Sequence, residues 1–272
     1  MDQPLVSFAI PFYNHNHFIT HTLDSIFEDS YPNKEIIIIN DGSSNPDDSN
    51  ITKWIEKHSE QISIEYISRE NKGVTKTLNE LITLTHGKYI VLVASDDYLI
   101  NNTVSDRVAL LESRPDKLML VSDAIVVDDN NIKTYDSAMF EQRGSPKENY
   151  FSDKDLKKEI IKRWSVVGPT WFISKKLFDV VGNFDEEIII EDWDFYLRVV
   201  AKDLLLFYDN KVAAYRWHED NTSKDPKSEY ARTADLARTA HQNIMNFSFP
   251  YNYYLWRRYR SWNKKLKKIP KV

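Results

Sequence analysis

The chain contains no cysteine. That absence excludes a disulfide framework, a thiolate nucleophile and a thiolate metal site, so any metal must be held by oxygen or imidazole. Glycine is scarce, with six in 272 residues, and no Gly-x-Gly-x-x-Gly follows the first apolar run. A backbone cradle for a dinucleotide depends on those glycines, so phosphates here must be met by side chains and a metal. No stretch approaches the ~20 apolar residues of a spanning helix. Met1-Asp2-Gln3-Pro4 also lacks the basic and apolar character of an export leader. The expectation is a cytoplasmic chain. Acidic residues are missing from Tyr251 to Val272, where eight are basic; removing +8 from the net charge of −5 leaves −13 on the first 250 residues. A body that acidic argues against nucleic acid as the partner.

What is present is a chain 42% hydrophobic, enough for one large core or two merged halves. Leu5 to Ile10, Glu35 to Ile39 and Lys88 to Ala94 are short apolar runs, the last of them β-branched and uninterrupted, and Ile62 to Ile67 lies between the latter two; all four read as strands. Helical periodicity separates them: Ile19, Leu23, Ile26 and Phe27 share one face between about His17 and Glu28, a second helix spans Asp47 to His58, and Val74, Leu78, Leu81 and Leu84 lie inward between Gly73 and Thr85. This alternation predicts an α/β fold, a mostly parallel sheet with helices on both faces. Further on, Thr103 to Glu112 reads as a helix, Leu118 to Val127 as a strand ending in a solvated turn at Asp128-Asp129-Asn130-Asn131, Tyr135 to Lys154 as a mobile loop, and Leu204 to Tyr208 and Val212 to Tyr215 as two more strands.

Polar residues cluster where these strands end. Asn40-Asp41-Gly42-Ser43 follows the second, and Ser95-Asp96-Asp97 follows the fourth. Ligands of open α/β sheets bind beyond the carboxyl ends of the strands, so Asp41, Asp96 and Asp97 are aimed at the expected crevice. Carboxylates there suit Mg or Mn carrying a phosphate. A lone Asp in such a place is as readily a helix cap.

Val6-Ser7 to Asn14, Asn40-Asp41-Gly42-Ser43, Asn71-Lys72-Gly73 to Asn79 and Ser95-Asp96-Asp97 together resemble the family 2 inverting nucleotide-sugar glycosyltransferases of the GT-A fold, over roughly residues 5 to 223. The resemblance implies a domain of residues 1–223, with a nucleotide-binding half (1–100) and an acceptor-binding half (101–223), followed by a helical, basic and aromatic extension (224–272). It implies that Pro11, Tyr13, Asn14 and Asp41 hold the nucleoside, that Asn71 fixes the base, and that Ser95, Asp96 and Asp97 belong to the donor site, Asp96 as the metal ligand. Ala94 stands where the family commonly has a first Asp, and Leu78 where it often has Arg, with Lys76 nearby as the remaining phosphate partner.

In the second half, Val167-Gly168-Pro169-Thr170-Trp171 and Glu191-Asp192-Trp193 resemble the family's acceptor site. This implies Asp192 as general base, Glu191 as its companion, and Gly168, Trp171 and Trp193 around the acceptor. A sugar hydroxyl is a poor nucleophile and needs a carboxylate within ~2.6–3.2 Å of its proton. Acidic residues opening a helix also serve its dipole. Arg216-Trp217-His218 resembles a motif whose His reaches the metal or diphosphate, which implies His218; the other histidines, His15, His17, His21, His58, His86 and His241, read as surface residues.

The activity implied is a metal-dependent (Mn or Mg) transfer from a UDP-sugar or related donor to a saccharide, lipid-linked, as in bacterial lipopolysaccharide O-antigen or capsule biosynthesis. A non-catalytic nucleotide-sugar-binding protein and a nucleotidyltransferase are the alternatives. Leu255, Tyr259, Trp262 and Leu266 form one stripe among the tail's cations, a pattern suited either to the inner face of the cytoplasmic membrane or to packing on the acidic body.

Overall fold

The computed structural model describes residues 3–44, 48–217 and 229–269. Its first half alternates β1 (Val6–Phe12), α1 (Ile19–Glu28), β2 (Lys34–Asp41), α2 (Ser49–His58), β3 (Ser63–Arg69), α3 (Val74–Leu84) and β4 (Tyr89–Leu92). The four strands are parallel in the order β3-β2-β1-β4. After them come β5 (Tyr98–Leu99), α4 (Val104–Ser113), β6 (Met119–Val127), β7 (Lys133–Tyr135), α5 (Asp153–Lys162), β8 (Phe172–Ser174), α6 (Lys176–Val181), α7 (Glu191–Ala201) and β9 (Leu205–Arg216), then α8 (Glu229–Asn243) and α9 (Tyr251–Leu266).

The sheet continues from β4 as β8-β6-β9-β5, with β7 on β6. β6 and β9 are parallel, whereas three-residue β8 runs antiparallel to both β4 and β6 and joins the two parallel sets. The α/β architecture with a mostly parallel sheet is thus as expected.

Side-chain alternation explains why the first strands carry no polar face. Ile36 and Ile38 join Phe8, Ile10 and residues of α1, α2 and α4 on one side of the sheet. Ile37 and Ile39 join Ala9, Ile90, Leu92 and residues of α3, α5 and α7 on the other. All four isoleucines are essentially inaccessible, each contributing about 1.5–3 kcal/mol by leaving water.

Three expectations need correction, and an alternative left open for the tail is decided. The runs 204–208 and 212–215 form one strand, β9, whose ladder to β6 shifts register around Asp123; a bulge absorbs the polar residues that looked like a turn. Residues 135–154 are not a free loop. β7, a π-helical turn at Ala138–Gln142 and a 3₁₀ turn at Lys147–Tyr150 bury Met139 and Tyr150, and Ser145 donates to Glu159 Oε1 at 2.7 Å. His58 is buried between Trp54 and Phe27 instead of standing at the surface. The tail stripe faces the body: Leu255 is inaccessible, Tyr259 and Trp262 pack on the core, and Trp262 meets Trp193 edge-on at 5.1 Å.

Candidate active site

The ends of β1, β2 and β4 open onto a crevice of about 850 Å³, lined by Pro11, Tyr13, Asn14, Asp41, Asn71, Ser95, Asp96 and Asp97 among others. The structure thus brings together eight of the nine residues expected to meet the donor. Lys76 is the ninth. It lies exposed on α3, outside the lining, because the face of α3 turned to the crevice carries Val74 and Thr77.

Backbone geometry builds the end of the crevice at β1 and β2. Asn14 takes a left-handed conformation (φ 58°), its backbone N–H donates to Ser43 Oγ at 2.9 Å, and its Oδ1 accepts the Ser44 N–H at 2.7 Å. The turns after β1 and β2 are therefore tied together. Asp41 accepts the Lys72 and Gly73 backbone N–H groups at 2.7 and 3.0 Å and pairs with Arg69. Asn71 donates to the Asp41 carbonyl at 2.7 Å. At Gly42 (φ 71°) a Cβ would sit 2.5 Å from the Asn71 nitrogen, so only glycine fits this close approach.

At the centre, Asp97 N–H donates back to the Ala94 carbonyl at 3.0 Å, closing a tight turn. Thr22 Oγ1 donates to the Ser95 and Asp97 carbonyls at 3.0 and 2.7 Å. Asp97 lies on the floor, where its Oδ1 accepts the Arg216 N–H at 2.7 Å. Burial drives its carboxyl well above the ordinary range and the Asp96 charge adds to this, against the pull of Arg216. Asp96 stands beside His15, whose Nδ1 is 2.9 Å from Ser95 Oγ and 3.8 Å from Asp96 Oδ1. His15 and His17 thus line the crevice; His17 is exposed there, whereas His15 is half-buried instead of standing free at the surface.

Asp96 would be the carboxylate for Mg or Mn. Such ions are usually held by one or two carboxylates with substrate phosphates completing the shell, and the hard oxygen of Asp96 fits that role. Among the described residues no three His, Asp or Glu side chains converge as a cage. His218 lies outside the described residues.

Glu191 and Asp192 open α7, and Asp192 Oδ1 accepts the Trp193 N–H at 2.8 Å. Burial raises both carboxyls. For Glu191 the charge of Asp192 adds to the effect; for Asp192 the Trp193 N–H and then the Arg143 guanidinium oppose it. Neither residue lines the crevice itself. The link is Arg143, which the sequence reading missed. Its Nη1 donates to the Val166 carbonyl at 3.2 Å and its guanidinium sits 5.9 Å from the centre of the Tyr215 ring. Tyr215 lines the crevice and feels Arg143, Asp97 and Asp96 together. One cation is therefore shared by Asp192 and the crevice.

The expected acceptor residues divide. Gly168 lines the crevice. Trp171 does not: it is buried, stacked on Phe195 at 5.9 Å and edge-on to Tyr196 at 4.9 Å. Trp193 is also a core residue, donating from Nε1 to the Ile160 carbonyl at 2.9 Å. Both indoles face the apolar layer that α7 lays on the sheet, which is where large aromatics of an amphipathic helix go.

Comparison with known proteins agrees with this layout. An uncharacterised glycosyltransferase of Rickettsia prowazekii is 26% identical over 234 residues, which span 86% of this chain and 70% of that protein. A putative teichuronic acid biosynthesis glycosyltransferase of Bacillus subtilis is 34% identical over 95 residues, 35% of this chain and 37% of that one. In fold, the chain is similar to Staphylococcus aureus TarS residues 1–349 in complex with UDP-GlcNAc (TM-score 0.70, 19% identity, 96% of this chain and 72% of that one). It is also similar to a Pyrobaculum calidifontis mannosyltransferase in complex with GDP-Man and Mn2+ (TM-score 0.65, 13% identity, 100% and 77%). The model of glycosyl transferase family 2 matches residues 7–182. A crevice at the strand ends, a carboxylate pair opening α7 and that match agree: the chain belongs to glycosyl transferase family 2.

Proposed function

We propose that the protein moves a sugar from a nucleoside-diphosphate donor, a UDP-sugar in the first instance, to a saccharide hydroxyl with inversion. The observation that carries this reading is the crevice lined by Asp41, Asn71 and Asp96, with Arg143 standing between its Tyr215 wall and Asp192. Tyr13, Asn14, Asp41 and Asn71 bind the nucleoside, and Ser95, Asp96 and Asp97 frame the diphosphate. Asp96 would hold the divalent ion, which when bound offsets the charge on the departing diphosphate. Asp192 accepts the acceptor proton as the hydroxyl oxygen bonds to the anomeric carbon; the carbon–oxygen bond to the phosphate breaks and the nucleoside diphosphate leaves. Glu191, whose carboxyl burial keeps protonated to higher pH than usual, donates a hydrogen bond to the acceptor.

The name of the Bacillus relative, which places it in teichuronic acid biosynthesis, supports a saccharide acceptor on the way to a polysaccharide; a lipid carrier for that acceptor is part of the proposal. No helix among the described residues is long and apolar enough to cross a membrane. The exposed face of α9, where Tyr253 and Trp256 stack at 5.8 Å and continue into Arg257, Arg260 and Lys264, suits the anionic inner surface of the cytoplasmic membrane.

Turnover of a panel of nucleotide sugars, with and without Mn2+, tests the assignment. Release of nucleoside diphosphate coupled to acceptor elongation is expected; a protein that neither binds nor turns over any donor overturns it.

A further inference from the structure

The order of the strands lays the crevice out as a sequence of stations. Asp41 ends β2, Phe12 ends β1, Asp96 follows β4, and Asp129 and Tyr215 come from β6 and β9. All five line the one crevice. With the nucleoside at the β2 end and the diphosphate at Asp96, the group next along the sheet is the sugar, and it arrives opposite Asp129 and Tyr215. A merely solvated hairpin turn after β6 would not be held as firmly as this one is.

Asp128 organises that turn. Its Oδ1 accepts the N–H groups of Asn130 and Ile132, each at 2.9 Å, and its carbonyl accepts the Asn131 N–H at 3.1 Å. Arg216 then clamps it. The buried guanidinium donates from Nη1 to the Asp128 carbonyl at 2.7 Å and from Nη2 to Asn131 Oδ1 at 2.7 Å. The same side chain donates from Nε to the Asp96 carbonyl at 2.8 Å, and its backbone N–H holds Asp97. Phe18, another residue of the crevice, lies 4.2 Å from the guanidinium. One arginine therefore sets the spacing between the Asp96–Asp97 turn and the Asp128–Asn131 turn. Asp129, inside the clamped turn, is exposed to the crevice, and among the described residues nothing pairs with its carboxylate. The mechanism above gives it no task.

We propose that Asp129 is a specificity-determining residue that accepts hydrogen bonds from hydroxyls of the donor sugar, and that Arg216 positions it relative to Asp96. An ionised carboxylate only accepts, sugar hydroxyls can donate to both its oxygens, and such charge-assisted bonds are about twice as strong as neutral ones. A rigid turn matters because a hydrogen-bonding site discriminates between sugars only if its groups cannot move to suit the wrong one.

The proposal rests on the nucleotide-sugar reading of the crevice, and titration calorimetry separates the two. UDP, UDP-GlcNAc, GDP and GDP-mannose are titrated, with Mn2+, into the wild type and into Asp129→Ala and Asp129→Asn. Asp129→Ala is expected to weaken whichever nucleotide sugar binds by roughly tenfold or more, with Asp129→Asn between it and wild type, while the affinity for the bare nucleoside diphosphate stays unchanged. Equal weakening of nucleotide and nucleotide sugar would make Asp129 part of the metal or diphosphate site and overturn the proposal. Unchanged affinity for both would overturn it as well. A wild type that binds none of the four ligands overturns the underlying reading along with it. The turn is exposed, so the thermal midpoints of the variants should match that of the wild type.

Discussion

Asp41 and Asp192 are both carboxylates at the edge of a secondary-structure element, yet their surroundings differ in a way that separates binding from chemistry. Asp41 is ringed by donors: two backbone N–H groups and Arg69. Asp192 has one N–H, from the first turn of its own helix, and a cation acting at longer range, while burial favours its protonated form. A carboxylate wrapped in donors is a brace that holds two loops in register. One that is half-buried with little support is ready to take up a proton.

The contrast is sharpest at Asp192→Asn. The geometry is preserved and the base is lost, so sugar transfer should fall by roughly 10²–10⁴ while nucleotide affinity, read by calorimetry, stays put. Retained turnover would break the assignment. Asp41→Ala should act the other way round. Leaving Arg69 and two N–H groups without their partner costs about 3 kcal/mol, seen as a lower urea midpoint, with nucleotide binding lost alongside. A folded, fully stable variant would show that Asp41 is no brace.

Arg143→Gln sharpens the comparison more gently. Asp192 must be ionised to act, so the rate falls as pH drops through its raised pKa. Removing a cation that favours the carboxylate raises that pKa further, and the acid limb of kcat/KM against pH should move upward, costing up to roughly fivefold on the acid side. Arg143→Lys should restore the limb. The smallest effects belong to the outer face of α9: Tyr253→Ala and Trp256→Ala should change stability by less than about 0.5 kcal/mol and reduce only co-sedimentation with anionic vesicles. Leu255→Ala, on the inner face, should cost about 2–5 kcal/mol.

The parts of this molecule that could be read from its sequence are those fixed by local pattern. β2 and β4 announce themselves as unbroken apolar runs and β1 as a largely apolar one closed by Pro11 and Phe12, and Asp41 and Asp96 follow β2 and β4 because a strand end is a sequence-local feature. Residues whose roles depend on who comes near were less legible. Arg143 sits in a stretch without periodicity, and only the fold brings it to Tyr215 and Asp192. Arg216 stands beside His218, yet its grip on two distant turns has no signature in the chain. His15 directly follows Asn14, a cue that was available from adjacency alone. The α9 stripe was ambiguous because aromatic residues ring the helix: Leu255, Tyr259 and Trp262 go inward, while Tyr253 and Trp256 form a second row outside. Trp171 and Trp193 misled for the same reason, being near the site in sequence but turned into the core.

β8 has a consequence for how the chain is made. Until Phe172–Ser174 emerges from the ribosome, β4 has β1 on one side and a bare row of amides and carbonyls on the other, some eighty residues after it was synthesised. An unpaired strand edge is a template for a neighbouring chain. A nascent or truncated polypeptide that stops short of Phe172 should therefore tend to self-associate through β4, and chaperone dependence should drop once those three residues are available.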